Sequence, residues 1–531
     1  MTTKNLILGS AAALLLTSGA QAADLPVKAK AVEYVRICSL YGAGFFYIPG
    51  TDTCIKLGGY LRADTTFNGG AHGAPGWNGD LGQHNRFRDY FLSRSRMALT
   101  VDTRTATEYG VFRTFGHGNF QFQNFGNTNP AGSVGTQTAG LGSALLSTAG
   151  GGYVAVEYLF IQFAGFTFGK SSSAYSTPWN GFPGNISANL LGGNNTDTGL
   201  NNIQYTAQFG NGVSASIGLD DPTVWTRTAV YNLSIPAAIG VNGTGSNAYA
   251  GMHAPDIVGN IRVDQAWGVL QFSAAAHEVS GSYNTLAAGA APNNLSEING
   301  HPDSKWGGSV MAALQIRNLP TGKGDDIKLD VSYARGHTKN VIATSGGSPS
   351  FSMFGNSGFA YQSVGFGATT DGVYFPGAAG TGGIQLTTAW GVRGSFSHNW
   401  NPNWSSSLFG SYSSVRYDGG ANDNINGLGA TTAKGAYCAA FAASHPGQAA
   451  VGNQAGNYSC NPDFNVSQLG LTTRWIPAKN LTFSAEAQWF HLDQKMSGSS
   501  VFTATVPSPT ALYEFKDQNT VLLQLRAQRN F

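Results

Sequence analysis

Apolar and polar residues alternate with a period of two along most of the chain. Leu481, Phe483, Ala485, Ala487 and Trp489 share one face, and Thr482, Ser484, Glu486 and Gln488 share the other. Val310, Ala312, Leu314 and Ile316 alternate with Met311, Ala313, Gln315 and Arg317. The last segment sets Val521, Leu523, Leu525, Ala527 and Phe531 against Gln524, Arg526, Gln528 and Asn530. This pattern predicts β-strands with one apolar and one polar face. Heptads are absent. Beyond the N-terminus no stretch has the ~20 apolar residues of a membrane-crossing helix.

Sixteen segments carry the pattern: 54–67, 90–104, 108–122, 152–163, 166–171, 201–209, 213–219, 256–264, 267–277, 306–317, 327–336, 386–398, 404–417, 466–475, 481–492 and 520–531. Short turns, such as Thr105-Ala106, Ala164-Gly165 and Gly210-Asn211-Gly212, take turns with long Gly/Asn/Ser/Pro-rich loops. The loops are 68–89, 123–151, 172–200, 220–255, 278–305, 337–385, 418–465 and 493–519. The sheet therefore has one plain end and one elaborate end. A soluble β-sandwich shares the alternation but not this asymmetry, which belongs to outer-membrane barrels with short periplasmic turns and long external loops. In lipid every backbone N–H and C=O must be paired within the protein, and strands achieve this by closing on themselves. The fold class is thus all-β, a transmembrane antiparallel β-barrel of 16 strands. Tyr60, Tyr158, Trp267, Trp306, Trp404, Trp475 and Trp489 lie near strand ends, where such barrels carry aromatic girdles.

Composition fits a wall with water on one side only. Charged residues are 11% of the 531, against about 25% in soluble chains. The formal net charge of +2 excludes a binder that neutralises many phosphates, so no nucleic acid is expected as a partner.

The first 22 residues read as a secretory signal peptide: Lys4, then the apolar run Leu6 to Leu16, then Ala20-Gln21-Ala22 as a cleavage site. Its removal takes one lysine and leaves a net charge of +1. Residues 23–53 form an N-terminal segment and 54–531 the barrel. Cys38 lies close to Cys54, and Cys438 close to Cys460; neither spacing is that of a zinc or redox site. In an oxidising compartment two local disulfides are the simple reading, although spacing alone does not fix the connectivity.

Several blocks resemble the alphaproteobacterial general porins (porin family 2). They are Ala23-Asp24-Leu25-Pro26-Val27-Lys28-Ala29-Lys30, the long run from Cys38-Ser39-Leu40-Tyr41-Gly42 through Cys54 to Arg62, Ser93-Arg94-Ser95-Arg96, and the ending Arg526-Ala527-Gln528-Arg529-Asn530-Phe531. The resemblance implies a homotrimeric, sixteen-stranded channel of the outer membrane, with loop 172–200 folded inward to narrow it. Its solutes would be ions and small hydrophilic molecules crossing passively without cofactor, and its neighbours outer-membrane lipid and lipopolysaccharide.

A barrel of ~16 strands encloses water, so its polar strand faces are expected to be wet. Lys56, Arg62, Arg94, Arg96 and Arg113 come from the first three strands and predict a basic wall that orders ions. Arg94 and Arg96 oppose Met97, Leu99 and Val101 in parity, whereas Arg113 shares parity with the apolar Tyr109, Val111 and Phe115. Asp64, Asp102, Glu108, Glu157 and Glu486 are the acidic candidates. Loop 172–200 offers Trp179 at the constriction and a single charge, Asp197. A wide, weakly selective pore with a slight anion preference is expected.

Catalytic signatures are missing. Gly169-Lys170-Ser171 ends like a phosphate-binding loop, but Ala164 stands at the required earlier glycine and the segment reads as strand. A barrel lipase would need His277 or His491 beside a serine, and a plugged transporter would need more than residues 24–53 for its plug. A receptor or adhesin working through the long loops is the alternative to a channel.

Overall fold

The computed structural model describes residues 36–86, 88–123, 152–179, 181–194, 197–234, 238–284, 300–344, 347–375, 383–421, 423, 431–445, 450–451, 454–455, 457–505 and 507–531. The expected signal peptide (1–22) lies outside these residues. Sixteen strands form the barrel: β1 Thr53–Phe67, β2 Phe91–Thr107, β3 Gly110–Gln123, β4 Gly152–Phe163, β5 Phe166–Ser171, β6 Leu200–Gly210, β7 Val213–Asp220, β8 Asp256–Gln265, β9 Gly268–Val279, β10 Lys305–Arg317, β11 Asp326–Arg335, β12 Thr388–Asn401, β13 Trp404–Arg416, β14 Phe464–Ala478, β15 Leu481–Gln494 and β16 Gln518–Asn530. Each pairs antiparallel with the next, and β16 returns to β1 from Tyr60↔Asn530 to Phe67↔Leu523, closing the sheet. No described helix is long and apolar enough to cross a membrane.

Period-two patterning becomes an apolar exterior. Leu57, Ile217, Ile261, Phe272, Val310 and Leu408 stand exposed on the outer face. Of the expected girdle residues, Trp267, Trp306, Trp404, Trp475 and Trp489 are exposed there. Tyr60 and Tyr158 instead face inward, where each packs against the ring of His117. On β12, Trp390 and Trp400 are both exposed. Ten residues apart, they span about 34 Å along the strand. A tilt of ~40° reduces that to roughly the 25 Å of the apolar band.

Two expectations shift. The first turn lies at Glu108-Tyr109 rather than Thr105-Ala106, because β2 runs on to Thr107 and pairs with Gly110. Glu108 is therefore an exposed turn residue, not a lumenal acid. In β4 the register slips between His117 and Gly118 of its partner β3, so that Glu157 and Tyr158 together occupy one step between Val156 and Leu159. Such a bulge reverses the parity of everything beyond it. Two of the other two-residue turns, Ala164-Gly165 and Asn211-Gly212, take positive φ at both positions, the geometry that matches hairpin twist.

Both cysteine pairs are joined, Cys38–Cys54 and Cys438–Cys460. With sequence separations of 16 and 22, each contributes about 3 kcal/mol in the chain-entropy account. The first clips a short strand, Phe46–Tyr47, to the start of β1, where β16 has already ended.

The external loops, numbered 1 to 8 in chain order from 68–89 to 493–519, build a second core. Phe351–Gly355 and Gln362–Gly367 of loop 6 join Ser497–Thr503 and Thr510–Phe515 of loop 8 and Asn457–Ser459 of loop 7 in one five-stranded sheet. Ile384–Leu386 belongs to a loop sheet with Thr370–Tyr374 and Ala229–Asn232, so β12 begins only at Thr388. Helix α1 (Ala433–Ser444) packs Tyr437 and Phe441 among Phe351, Phe366, Val364, Tyr513 and Phe515. The cap rests on the external ends of β11 to β15 through Ala334, Ala389, Val415, Phe464 and Phe490.

His445 closes α1. Its ring lies 3.7 Å from that of Phe441; Nε2 is 3.1 Å from the Val241 carbonyl and Nδ1 is 2.9 Å from Ser444 Oγ, so a neutral ring donates to the first through Nε2 and accepts from the second at Nδ1. Burial pushes the imidazole down to about 4. A folded-state value below the unfolded ~6.5 means that the stabilisation is complete above pH 6.5 and is lost as pH falls toward 4. Acidification from pH 7 to 4 should thus cost the cap up to about 3 kcal/mol. Hydrogen exchange of the α1 amides will measure it, and His445→Phe should flatten the dependence. Equal pH profiles in the two proteins would refute the assignment.

Candidate functional site

Loop 3, residues 172–200, runs inside the barrel against the wall from β8 to β15. Its carbonyls accept from that wall: Asn260 bonds Ala174, Gln271 bonds Ser176, Lys328 bonds Pro183, Arg474 bonds Gly184, and Arg393 bonds Leu190. Its amides donate back, Ile186 and Ser187 to the Glu486 carboxylate and Leu191 to Gln468. Apolar side chains on the same stretch of wall, Val258, Met311 and Ala313, are covered by Ala174 and Tyr175, with Trp179 packed beside them. The polar strand faces are therefore not uniformly wet, because loop 3 dries half of the inner wall.

The firmest anchor is electrostatic. Arg393 of β12 and Asp330 of β11 are fully buried and bonded at 3.0 Å. Gly192 and Gly193 pass directly over them. A Cβ on Gly193 would stand 2.1 Å from Asp330 Oδ2, so only glycine admits the loop this close.

The opposite wall, β16 to β4, carries the arginines. Asp64 is held by Arg94 (Nε, 2.8 Å) and by Arg526 (Nε, 2.6 Å). Arg62 donates to Gln528 at 2.8 Å and stacks over Tyr60. Arg96 donates to Gln121 at 2.6 Å. Among the described residues neither Arg62 nor Arg96 forms an ion pair. Loop 1 drops His72 onto this wall, with Nδ1 2.6 Å from Arg94 and Nε2 3.0 Å from Gln121. Burial, reinforced by the Arg94 and Arg96 charges, holds that imidazole far below its ordinary value and therefore neutral.

The sequence-derived candidates separate along the pore. Arg62, Arg94 and Arg96 come together at one level. Arg113 also faces inward despite its apolar parity neighbours, because Phe115 turns in beside it; Arg113 and Arg104 share Asp102 at 3.0 Å, one step toward the turns. Lys56 is exposed on that inner face, with its ammonium 5.8 Å from the Phe45 ring. Asp197 lies at the root of loop 3, where its backbone carbonyl accepts from Tyr158. Strand parity alone identifies two groups missed by sequence reasoning, Arg526 and Arg393. His72 had no local signal.

The model of the porin subfamily matches residues 24–523. The chain is 31% identical over 391 residues to porin Omp2b of Brucella neotomae, covering 65% of this chain and 96% of that protein. It is 34% identical over 275 residues to porin Omp2b of Brucella abortus strain 2308, covering 50% and 64%. The fold is similar to that of the outer-membrane channel DcaP of Acinetobacter baumannii, with TM-score 0.53 and 13% identity over 91% of this chain and 99% of that one.

Proposed function

The chain belongs to the porin subfamily and is a passive diffusion channel of the outer membrane, and from that premise we propose that it is a trimer with a mild preference for anions. The observation carrying the preference is the pair Arg62 and Arg96, guanidiniums on the inner wall opposite loop 3 that, among the described residues, bond neutral groups and form no ion pair. With Arg94 and Arg526 they set four positive charges against the single carboxylate of Asp64. Loop 3 adds one charge in its sequence, Asp197. The field at this level is positive but shallow, because Glu157 nearby removes part of it. Lys56 and Arg113 extend the same sign toward the periplasmic end, and Trp179 narrows the passage only by holding loop 3 to its wall.

Assembly is supported by the outer wall over β15 to β4. There Ala63, Ser95, Gly152 and Ala527 leave an apolar groove of about 740 Å³ between Leu61, Phe120 and Phe122. The adjoining β5 is six residues long, too short for a tilted crossing of the hydrocarbon layer. A neighbouring barrel would cover both features in a closed cyclic trimer. Lipopolysaccharide contacts would fall on the external loops.

A planar-bilayer recording under a salt gradient tests both statements. The expected result is ohmic steps that close in groups of three, with a reversal potential displaced modestly toward the anion value. Strong cation selectivity would overturn the charge reading, and single unlinked closures would overturn the trimer. A channel, rather than an enzyme or a receptor, needs nothing beyond the solute's own gradient.

A further inference from the structure

A second polar cluster lies at the external end of the wall, away from the arginines. Asp256 opens β8, His277 is near the end of β9, and His337 follows β11; all three are buried. His277 Nδ1 is 2.6 Å from Asp256 Oδ1, and His337 Nε2 is 3.5 Å from Asp256 Oδ2. The two imidazoles stack with centroids 4.6 Å apart. One donor atom from each residue lies within 4.8 Å of the other two. Behind them a second layer fixes the rings. His277 Nε2 is 3.0 Å from Tyr249 Oη, and Tyr249 donates to Asp371 at 2.9 Å. Asp371 in turn accepts from the backbone amides of Thr228 and Thr338. On the other ring, His337 Nδ1 is 3.4 Å from Ser309 Oγ.

A narrow, partly open pocket of about 40 Å³ adjoins the cluster, lined among others by Asp220, Asp256, Thr226, His337 and Lys339. Asp220 is buried and accepts from Ser173 through Oδ2, while its Oδ1 has no hydrogen-bond partner among the described residues. A buried carboxylate oxygen left in this way costs stability unless something cationic or protic meets it.

We propose that Asp256, His277 and His337 bind a divalent transition-metal ion of the zinc class, with Asp220 facing its remaining coordination position. Two imidazoles and a carboxylate form a zinc-type donor set. The Tyr249–Asp371 relay behind His277 is the kind of outer contact that orients a ligating imidazole. Donors on a tetrahedral zinc lie roughly 3.3 Å apart. The Asp256–His337 pair already has that spacing; to close on the ion, His277 tilts out of its stack on His337 and gives up its Nδ1 proton to solvent, and His337 releases the Nε2 proton that now faces the Thr226 carbonyl at 3.2 Å. The bound ion joins β8 and β9 to loop 6 directly and, through Tyr249, to loop 4, thereby fixing two external loops at the mouth of the pore.

Zinc chloride titrated calorimetrically into the folded, detergent-solubilised protein tests this, with magnesium chloride as comparator. One zinc per chain is expected, with no comparable magnesium binding and roughly hundredfold or greater weakening in His337→Gln. His253→Gln, which alters an exposed histidine nearby, should bind as the parent does. Absence of zinc uptake by the parent protein, or equal affinity in parent and His337→Gln, would overturn the proposal. Should His337→Gln fail to fold, anomalous scattering at the zinc edge in parent crystals decides, and a peak away from the three residues rejects the site.

Discussion

Replacing Arg62 and Arg96 together by glutamate is expected to convert the pore from mildly anion-preferring to cation-selective. The patch formed by Arg62, Arg94, Arg96, Arg526 and Asp64 goes from three excess positive charges to one excess negative charge. A unit charge ~8 Å from a permeating ion contributes about 0.5 kcal/mol in water, and physiological salt screens that to roughly 0.2 kcal/mol. Four units then move each ion by about 0.8 kcal/mol, in opposite directions for the two signs. The permeability ratio should therefore change roughly tenfold, read as a reversal potential crossing zero. These two arginines suit the test because their partners, Gln528 and Gln121, are neutral and can be left behind without orphaning a charge. Arg94 is unsuitable, since its loss would strip a bonded partner from buried Asp64. An unchanged reversal potential in the folded double variant would place the selectivity filter elsewhere.

Asp330→Ala is expected to free loop 3 at a cost of about 3–5 kcal/mol, the usual result of leaving one member of a buried ion pair alone. Arg393 has no exposed surface into which to move its charge, and it also holds the Leu190 carbonyl. The barrel ladder does not depend on this pair, so strands should persist while the loop leaves its wall. Single-channel steps should become larger and noisier, and the thermal transition should fall. Asp330→Leu with Arg393→Met separates the two contributions. It removes the electrostatic penalty, keeps the wall packed and still lacks the anchor, so it should recover stability but not the parent conductance. Parent-like steps in both variants would show that this pair does not hold the constriction.

Most of the barrel was legible because a membrane wall enforces strict alternation. A strand with lipid on one side and polar contacts on the other has little freedom in residue type. The pattern failed where geometry, not composition, sets the face. The bulge at Glu157 and Tyr158 reverses parity without a sequence cue, and Arg113 sits beside an inward-facing Phe115 that alternation assigned to lipid. Loop 3 was placed inside by resemblance. Its anchors, Lys328, Arg393, Gln468, Arg474 and Glu486, are spread over four strands and announce nothing locally. The cap was hidden for another reason. The strands of its five-stranded sheet are three to seven residues long and lie within glycine-rich stretches, so a sheet built by three loops together reads as three separate linkers.

The unequal furnishing of the lumen bears on what crosses it and how. Arginines crowd one side, while the other is a loop whose polar backbone groups are already engaged by the wall behind it. A solute between them experiences a field across the passage as well as along it. On the charge reading proposed above, a molecule with an acidic head and a less polar body is expected to be turned side-on as it enters, with its head toward β1 and β2 and its body along loop 3. Orientation rather than net charge should then distinguish two solutes of equal size and valence, and a symmetric dianion is expected to gain less from this channel than a lopsided monoanion.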